Sequence, residues 1–289
     1  MSSTHRPLFT AVVLAADRSA GDPVARAAGV PCKALAPVGG RPMLTRVLDA
    51  LSRAEEVGSC VVCGPASDIL EREPQLQRLT AAGILRWVAP QATPATSARF
   101  ALNSVPANSP VLLTTADHAL LNAGIVDHFC REARLAPHDV AAALAPHALT
   151  VAAYPGMRRT KTRFRGGAFC GCNLFAFLTD EGRAAADFWR RVEHQRKRPI
   201  KMLGELGWGV VLRYALGRLS LEQALGHASH AMGLKVGAVI LPFPEAAVDV
   251  DSVADWRFAE TIAAGAGRDG STRVEDAAGG RPAHPGGRR

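Results

Sequence analysis

Carboxylates recur where apolar runs end. Val111-Leu-Leu-Thr-Thr-Ala-Asp117-His118 closes on one, and Ala247-Val-Asp249-Val-Asp251-Ser252 carries two more. If the second stretch is extended, side-chain alternation puts Asp249 and Asp251 on one face, where both can point at one cation. A helix cap at Asp251 or Ser252 is the plain alternative, and the two roles can coexist. Asp117 is a weaker cap, because the next helical pattern begins only near Asn122. His118 has no partner in the pattern and reads as structural. Cations gather elsewhere: Arg18, Arg26, Lys33 and Arg41 all lie in the Gly/Pro-rich segment after the apolar run Ala11 to Ala16. Loop amides and cations converging at a strand end, opposite carboxylates able to hold a hard cation, suit a polyphosphate guest.

These residues need elements to position them. Ala11 to Ala16 reads as a buried strand, and Pro42 as the first residue of a helix whose apolar positions Met43, Leu44, Val47, Leu48 and Leu51 recur at helical spacing. Between them lies a phosphate loop of neither familiar kind. Lys33 is followed by Ala34, so a Walker A ending is absent, and Ala16-Asp17-Arg18-Ser19-Ala20-Gly21 lacks the spaced glycines of a dinucleotide fingerprint. Further strands are expected at 59–62, 85–88, 140–144 and 236–241, and helices at 66–82 with a break at Pro74, 123–135 and 253–264. Such alternation predicts an α/β fold with a parallel sheet and ligands at the carboxyl ends of its strands. Residues 180–233 read as mainly helical, with Ser220 as an N-cap and Trp189 and Trp208 as core. Thr96 or Ser97 suits the cap of the helix after 91–98.

Two further stretches stand out. Residues 154–167 gather Arg158, Arg159, Lys161, Arg163 and Arg165, either as a solvated loop or as an arm supplying cations to a phosphate. They run directly into Ala168-Phe-Cys-Gly171-Cys-Asn173-Leu-Phe175. Composition bounds the rest. Among 289 residues the net charge is +8, yet aromatics are 6% and the basic residues are scattered, which disfavours nucleic acid over small anions. Cys60-Val-Val-Cys63 has zinc-knuckle spacing without a second pair, so the six cysteines read as buried thiols. No stretch is long and apolar enough for a bilayer, and MSSTHRPLFT lacks a signal-peptide core, so a cytoplasmic protein is the expectation.

Leu14-Ala15-Ala16, Arg26 and Lys33 seven residues apart, Lys33-Ala34-Leu35, and Gly40-Arg41-Pro42-Met43-Leu44 together resemble the MobA-like NTP transferase family. The resemblance spans roughly residues 11 to 260. It implies a three-layer GT-A/Rossmann-like domain over 1–264 with a mixed, mainly parallel sheet and a helical insertion near 180–233; the Gly/Arg/Ala/Pro-rich tail at 265–289 reads as disordered from its composition. It implies nucleotide contacts at Leu14, Ala15, Ala16, Asp17, Arg18, Lys33, Thr96 and Ser97, and catalytic roles for Arg26, Lys33 and Asp117. Acceptor contacts would fall at Lys161, Arg163, Gly171 and Asn173, and Mg²⁺ on Asp117 and Asp251 with Asp249 in support. Asp17 departs from the family, which usually has glycine there, and the loop before Arg26 is longer than usual.

The implied reaction is transfer of a nucleoside monophosphate from an NTP to a phosphorylated acceptor, such as a sugar-1-phosphate, a phospho-polyol or a cofactor precursor, with release of pyrophosphate. A phosphate monoester, with a second pKa near ~6, is already nucleophilic at neutral pH and needs no general base. If Asp17 lies near the base, its carboxylate suits GTP or CTP, whose bases present donors. Two other classes remain: a metal-dependent glycosyltransferase using Asp249-Val-Asp251, and a non-catalytic nucleotide-binding module, which Asp17 favours. The helical insertion would shape either the acceptor pocket or a homodimer contact.

Overall fold

The computed structural model describes residues 6–17, 21–157, 159–195 and 208–275. Among the described residues ten strands follow in chain order: β1 (Phe9–Leu14), β2 (Pro37–Val38), β3 (Arg41–Pro42), β4 (Val57–Cys63) and β5 (Leu85–Val88) come first. Then come β6 (Val111–Thr115), β7 (Val140–Pro146), β8 (Thr162–Phe164), β9 (Gly167–Phe177) and β10 (Val236–Ile240). The main sheet has the order β10-β7-β9-β6-β1-β4-β5, with β8 paired to β9. Within it every pairing is parallel except those of β9, which runs antiparallel to β6, β7 and β8. β1 and β6 lie at the centre, and their near-continuous apolar runs are what a strand covered on both faces requires.

Helices cover both faces. The first eight are α1 (Pro23–Ala28), α2 (Met43–Arg53), α3 (Ser67–Leu70), α4 (Pro74–Ala81), α5 (Pro94–Asn103), α6 (Ala123–Ala133), α7 (His147–Ala153) and α8 (Ala185–Gln195). Further helices among the described residues are Trp208–Ala215, Leu221–Met232 and Val253–Glu275. Leu44, Val47 and Leu51 of α2 and Ile125 and Phe129 of α6 form one core with the sheet, while Ala98, Ala101 and Leu102 of α5 and Ala186 of α8 form the other. The result is the expected three-layer, mainly parallel architecture. A third apolar cluster joins Val24, Val38 and Met43 of the phosphate-loop region to Leu120, Val248, Val250 and Ala259. It fastens the two ends of the chain together beneath the loop.

Local departures from expectation have physical reasons. The loop contains a helix, α1: Asp22 caps it by accepting from Val24 N at 2.8 Å, Pro23 occupies its first turn, and Gly29 ends it in the left-handed region. Pro42 pairs in β3 and is the N-cap of α2, one residue earlier than its expected place. Residues 248–250 are not a ladder strand. They follow a 3₁₀ turn at Pro244–Ala247, and Val250 N donates to the Asp117 carbonyl at 3.0 Å. The basic stretch folds in part as the β8–β9 hairpin, and the last helix continues past 264 to Glu275. The remainder of the expected tail, 276–289, lies outside the described residues, as do 196–207 of the insertion.

One buried cation holds the edge behind β6. Arg183 donates to the carbonyls of Val105 at 2.9 Å, Pro106 at 2.7 Å and Ser109 at 2.9 Å. Arg183→Met keeps the bulk but leaves three acceptors without their donor, each worth about 1 kcal/mol. The expected outcome is about 3 kcal/mol less stability by urea denaturation.

Candidate active site

The strand register builds the site. Leu14 of β1 aligns with Thr115 of β6, and Thr114 with Leu174 of β9, so the segment after β1, the end of β6 and Asn173 share one edge of the sheet. An open cleft of about 180 Å³ lies there, lined by Leu14, Ala15, Ala16, Asp17, Lys33, Thr115, Asp117, Asn173 and Asp251. Pro94, Phe175 and Trp189 also line it. The rings of Phe175 and Trp189 are 5.9 Å apart and tilted by 40°. Trp189 is half-buried: it packs against the core as expected, and it also forms an aromatic wall of the cleft.

Lys33 is at the centre. Its Nζ is 2.6 Å from Asp117 Oδ2, 3.0 Å from the Val250 carbonyl and 3.8 Å from Asp251 Oδ1. Thr115 Oγ1 donates to Asp117 Oδ1 at 2.5 Å. Burial alone would raise the Asp117 pKa, but the Lys33 ammonium, with help from the Thr115 hydroxyl, more than offsets it and holds the carboxyl below its ordinary value. Asp117 is therefore ionised at neutral pH. The Lys33 backbone is pinned as well: Asp17 accepts from its amide at 3.0 and 3.2 Å. Burial raises the Asp17 pKa, with that amide pulling the other way. Nearby, Gly64 has φ +89°, and a Cβ there would be 2.9 Å from Ala16 N, so the β4 end closes tightly on the segment after β1.

Asp249 does not stand beside Asp251. It is buried against Arg159, whose guanidinium bonds Oδ1, and it accepts from Asn173 Nδ2 at 3.0 Å. No ladder enforces a shared face for the two aspartates, and a buried carboxylate needs a cation partner, which Arg159 supplies. Among the described residues no three His, Cys, Asp or Glu side chains cluster as a metal site. A cation here would have two carboxylates and a carbonyl, with its other ligands from substrate or water.

The profile of the MobA-like NTP transferase domain matches residues 11–168. This chain belongs to that family. Its MobA-like fold aligns with that of a hypothetical transferase from Thermus thermophilus at 30% identity and TM-score 0.71, over 86% of this chain and 99% of that one. It also resembles a CMP:2-keto-3-deoxy-manno-octonic acid synthetase complexed with CTP, at 13% identity and TM-score 0.53 over 89% and 98% of the two chains. A third likeness is to the 2-C-methyl-D-erythritol 4-phosphate cytidylyltransferase of Thermus thermophilus, at 16% identity and TM-score 0.51 over 89% and 99%. Comparison with curated protein sequences finds no match. By its family the protein is a nucleotidyltransferase. The profile stops short of Asn173 and of the 249–251 segment, so those residues are placed by the structure alone.

Other expected residues of this MobA-like transferase lie elsewhere. Thr96 completes a capping box with Thr93 on α5, and Ser97 Oγ accepts from Gln91 N at 2.8 Å, so both brace the turn before α5. Arg26 is exposed on α1, and Lys161, Arg163 and Gly171 are exposed on or beside the β8–β9 hairpin, none of them lining the cleft. Arg18 lies outside the described residues, as does the side chain of Trp208. The six cysteines are free thiols, five of them buried, and burial pushes Cys32 up to about 12. Arg159 had no individual role among the five basic residues of its stretch, and the Val250 carbonyl carries no side-chain signal. No described helix is long and apolar enough to cross a membrane.

His118 is fully buried, and that burial lowers its pKa to about 4 against the upward pull of Asp117. It stays neutral at pH 7 and has no role as a proton donor there. The unfolded chain takes up this proton below about 6.5, while the folded one resists until about 4. Stability is therefore lost as pH falls through that window, by about 1.4 kcal/mol per unit. Urea denaturation at pH 6.5 and pH 5 should show a loss of about 2 kcal/mol from this residue, absent in His118→Leu.

Proposed function

We propose that this cleft transfers a nucleoside monophosphate from an NTP to a phosphorylated small-molecule acceptor, with Mg²⁺ and release of pyrophosphate. The convergence of Lys33, Asp117 and Asp251 at the ends of two central strands carries the reading. The donor set fits a hard divalent cation, since two carboxylates and a carbonyl surround the position that the ammonium holds. Asp117 and Asp251 would hold Mg²⁺, which when bound supplies charge neutralisation at the phosphates. Membership of the family supports the NTP, and the CTP complex of a protein sharing the fold is consistent with it.

The chain's own residues have simple tasks. Lys33 neutralises phosphate charge in the transition state, and Thr115 keeps Asp117 aimed. Asp249 is acceptor-only, so the Asn173 amide must turn its NH₂ toward it and leave its carbonyl oxygen for an acceptor hydroxyl. The acceptor enters from the β8–β9 side, where Lys161 and Arg163 stand exposed and Gly171 keeps the approach low. With Arg159 neutralising Asp249, an Asp-Val-Asp metal motif of glycosyltransferase type is not assembled. Asp17 accepts from the Lys33 amide, so its carboxylate is in part engaged before a base donor could reach it.

The test is pyrophosphate release with each NTP, Mg²⁺ and a panel of phosphorylated sugars and polyols. Lys33→Ala and Asp117→Asn should each lower turnover at least about tenfold, or about 1.4 kcal/mol. No release by wild type with any pair would defeat the proposal. A separate expectation concerns Asp17, whose charge faces the triphosphate. Asp17→Asn keeps an acceptor for the Lys33 amide and removes one repulsion, worth about 1 kcal/mol at moderate separation. NTP affinity measured by calorimetry should rise roughly fivefold.

A further inference from the structure

We propose that the Asp117 carboxylate, the Val250 carbonyl and the Asp251 carboxylate form a single cation cage that Lys33 occupies in the ligand-free protein and yields to a divalent cation when a triphosphate draws the lysine out. The inference rests on the reading of the cleft as an NTP site and adds Lys33 as an internal counterion that the metal must displace.

The cage is built before any metal arrives. The Lys33 ammonium has three N–H donors, and three oxygens face it at 2.6, 3.0 and 3.8 Å. Two features keep the Asp117 and Val250 oxygens in place, while the Asp251 carboxylate stands half-exposed at the rim. The Thr115 hydroxyl holds Asp117 Oδ1, leaving Oδ2 for the cage. Val250 N donates to the Asp117 carbonyl at 3.0 Å, which locks the two ligand-bearing segments together. These are the hard oxygen donors that Mg²⁺ and Mn²⁺ take, and a divalent charge would balance two carboxylates where the ammonium balances one.

Two cations cannot share so small a cage, so the metal and the ammonium compete. A triphosphate changes the balance by offering the lysine other oxygens. Asp17 holds the Lys33 backbone amide, so only the flexible four-carbon stem has to move. Linkage then makes the coupling reciprocal: nucleotide raises metal affinity, and metal raises nucleotide affinity.

The test measures Mn²⁺ binding to the full-length protein without nucleotide, by the loss of the free Mn²⁺ electron paramagnetic resonance signal. Wild type should bind weakly, and Lys33→Met at least about tenfold more tightly. Lys33→Gln serves the same comparison if the methionine variant fails to fold. Adding Asp251→Asn to either variant should remove the gain. Mn²⁺ binding by the folded Lys33 variants no tighter than wild type would overturn the cage, as would a gain that survives Asp251→Asn. Pyrophosphate release by wild type judges the transfer reaction separately, so either idea can fail while the other stands.

Discussion

Two carboxylates brought to one sheet edge repel each other unless a cation stands between them, and here that cation is Lys33. Asp117 comes from the end of β6 and Asp251 from a segment far along the chain. They meet because Val248, Val250 and Ala259 pack with Val24, Val38 and Met43 in one apolar cluster. Polar clasps reinforce it: Trp256 Nε1 donates to the Pro37 carbonyl at 2.6 Å, and Glu260 Oε1 accepts from Gly39 N at 2.6 Å. The last helix therefore closes over the β2–β3 turn, and the loop between β1 and α2 is held from both ends of the chain.

Behind that contact lies a second ionic pair. Asp249 and Arg159 are both largely buried, and removing either would strand the other's charge in a low-dielectric setting. The pair also orients Asn173, so a basic residue from the β8–β9 approach and an aspartate from the C-terminal segment together set the polarity of one cleft amide. Spacing of two had suggested a shared job for Asp249 and Asp251. The structure divides them between two cations.

Much of the fold was legible because it rests on local signals. Apolar runs such as Val111–Thr115 and helical spacing from Met43 to Leu51 determine elements without reference to distant parts of the chain. Asp22-Pro23 and Gly29 were an equally local start and stop for α1, but the surrounding loop composition masked a helix of six residues. Lys33, Asp117 and Asp251 were legible as chemistry-bearing residues. Their mutual contacts were not, because a distance across 217 residues, as between Lys33 and Val250, depends on packing. The Val250 ligand is a backbone carbonyl, which every residue type has, so sequence cannot single it out. Thr96 and Ser97, which the resemblance assigned to nucleotide contact, make local hydrogen bonds that brace the turn before α5, a role close to the capping that their types had suggested.

The net charge of +8 is misleading about the cleft itself. Among its described lining residues are four carboxylates, Asp17, Asp22, Asp117 and Asp251, against one ammonium, Lys33. A bare triphosphate approaching this wall meets repulsion at short range, although the basic surface attracts it from a distance. On the proposed reaction, carrying a divalent cation reverses the short-range term, because the carboxylates then face opposite charge. On that proposal the acidic lining would select for the metal-bound form of the nucleotide, and the lysine that holds the carboxylates together would become available to the phosphates as they arrive.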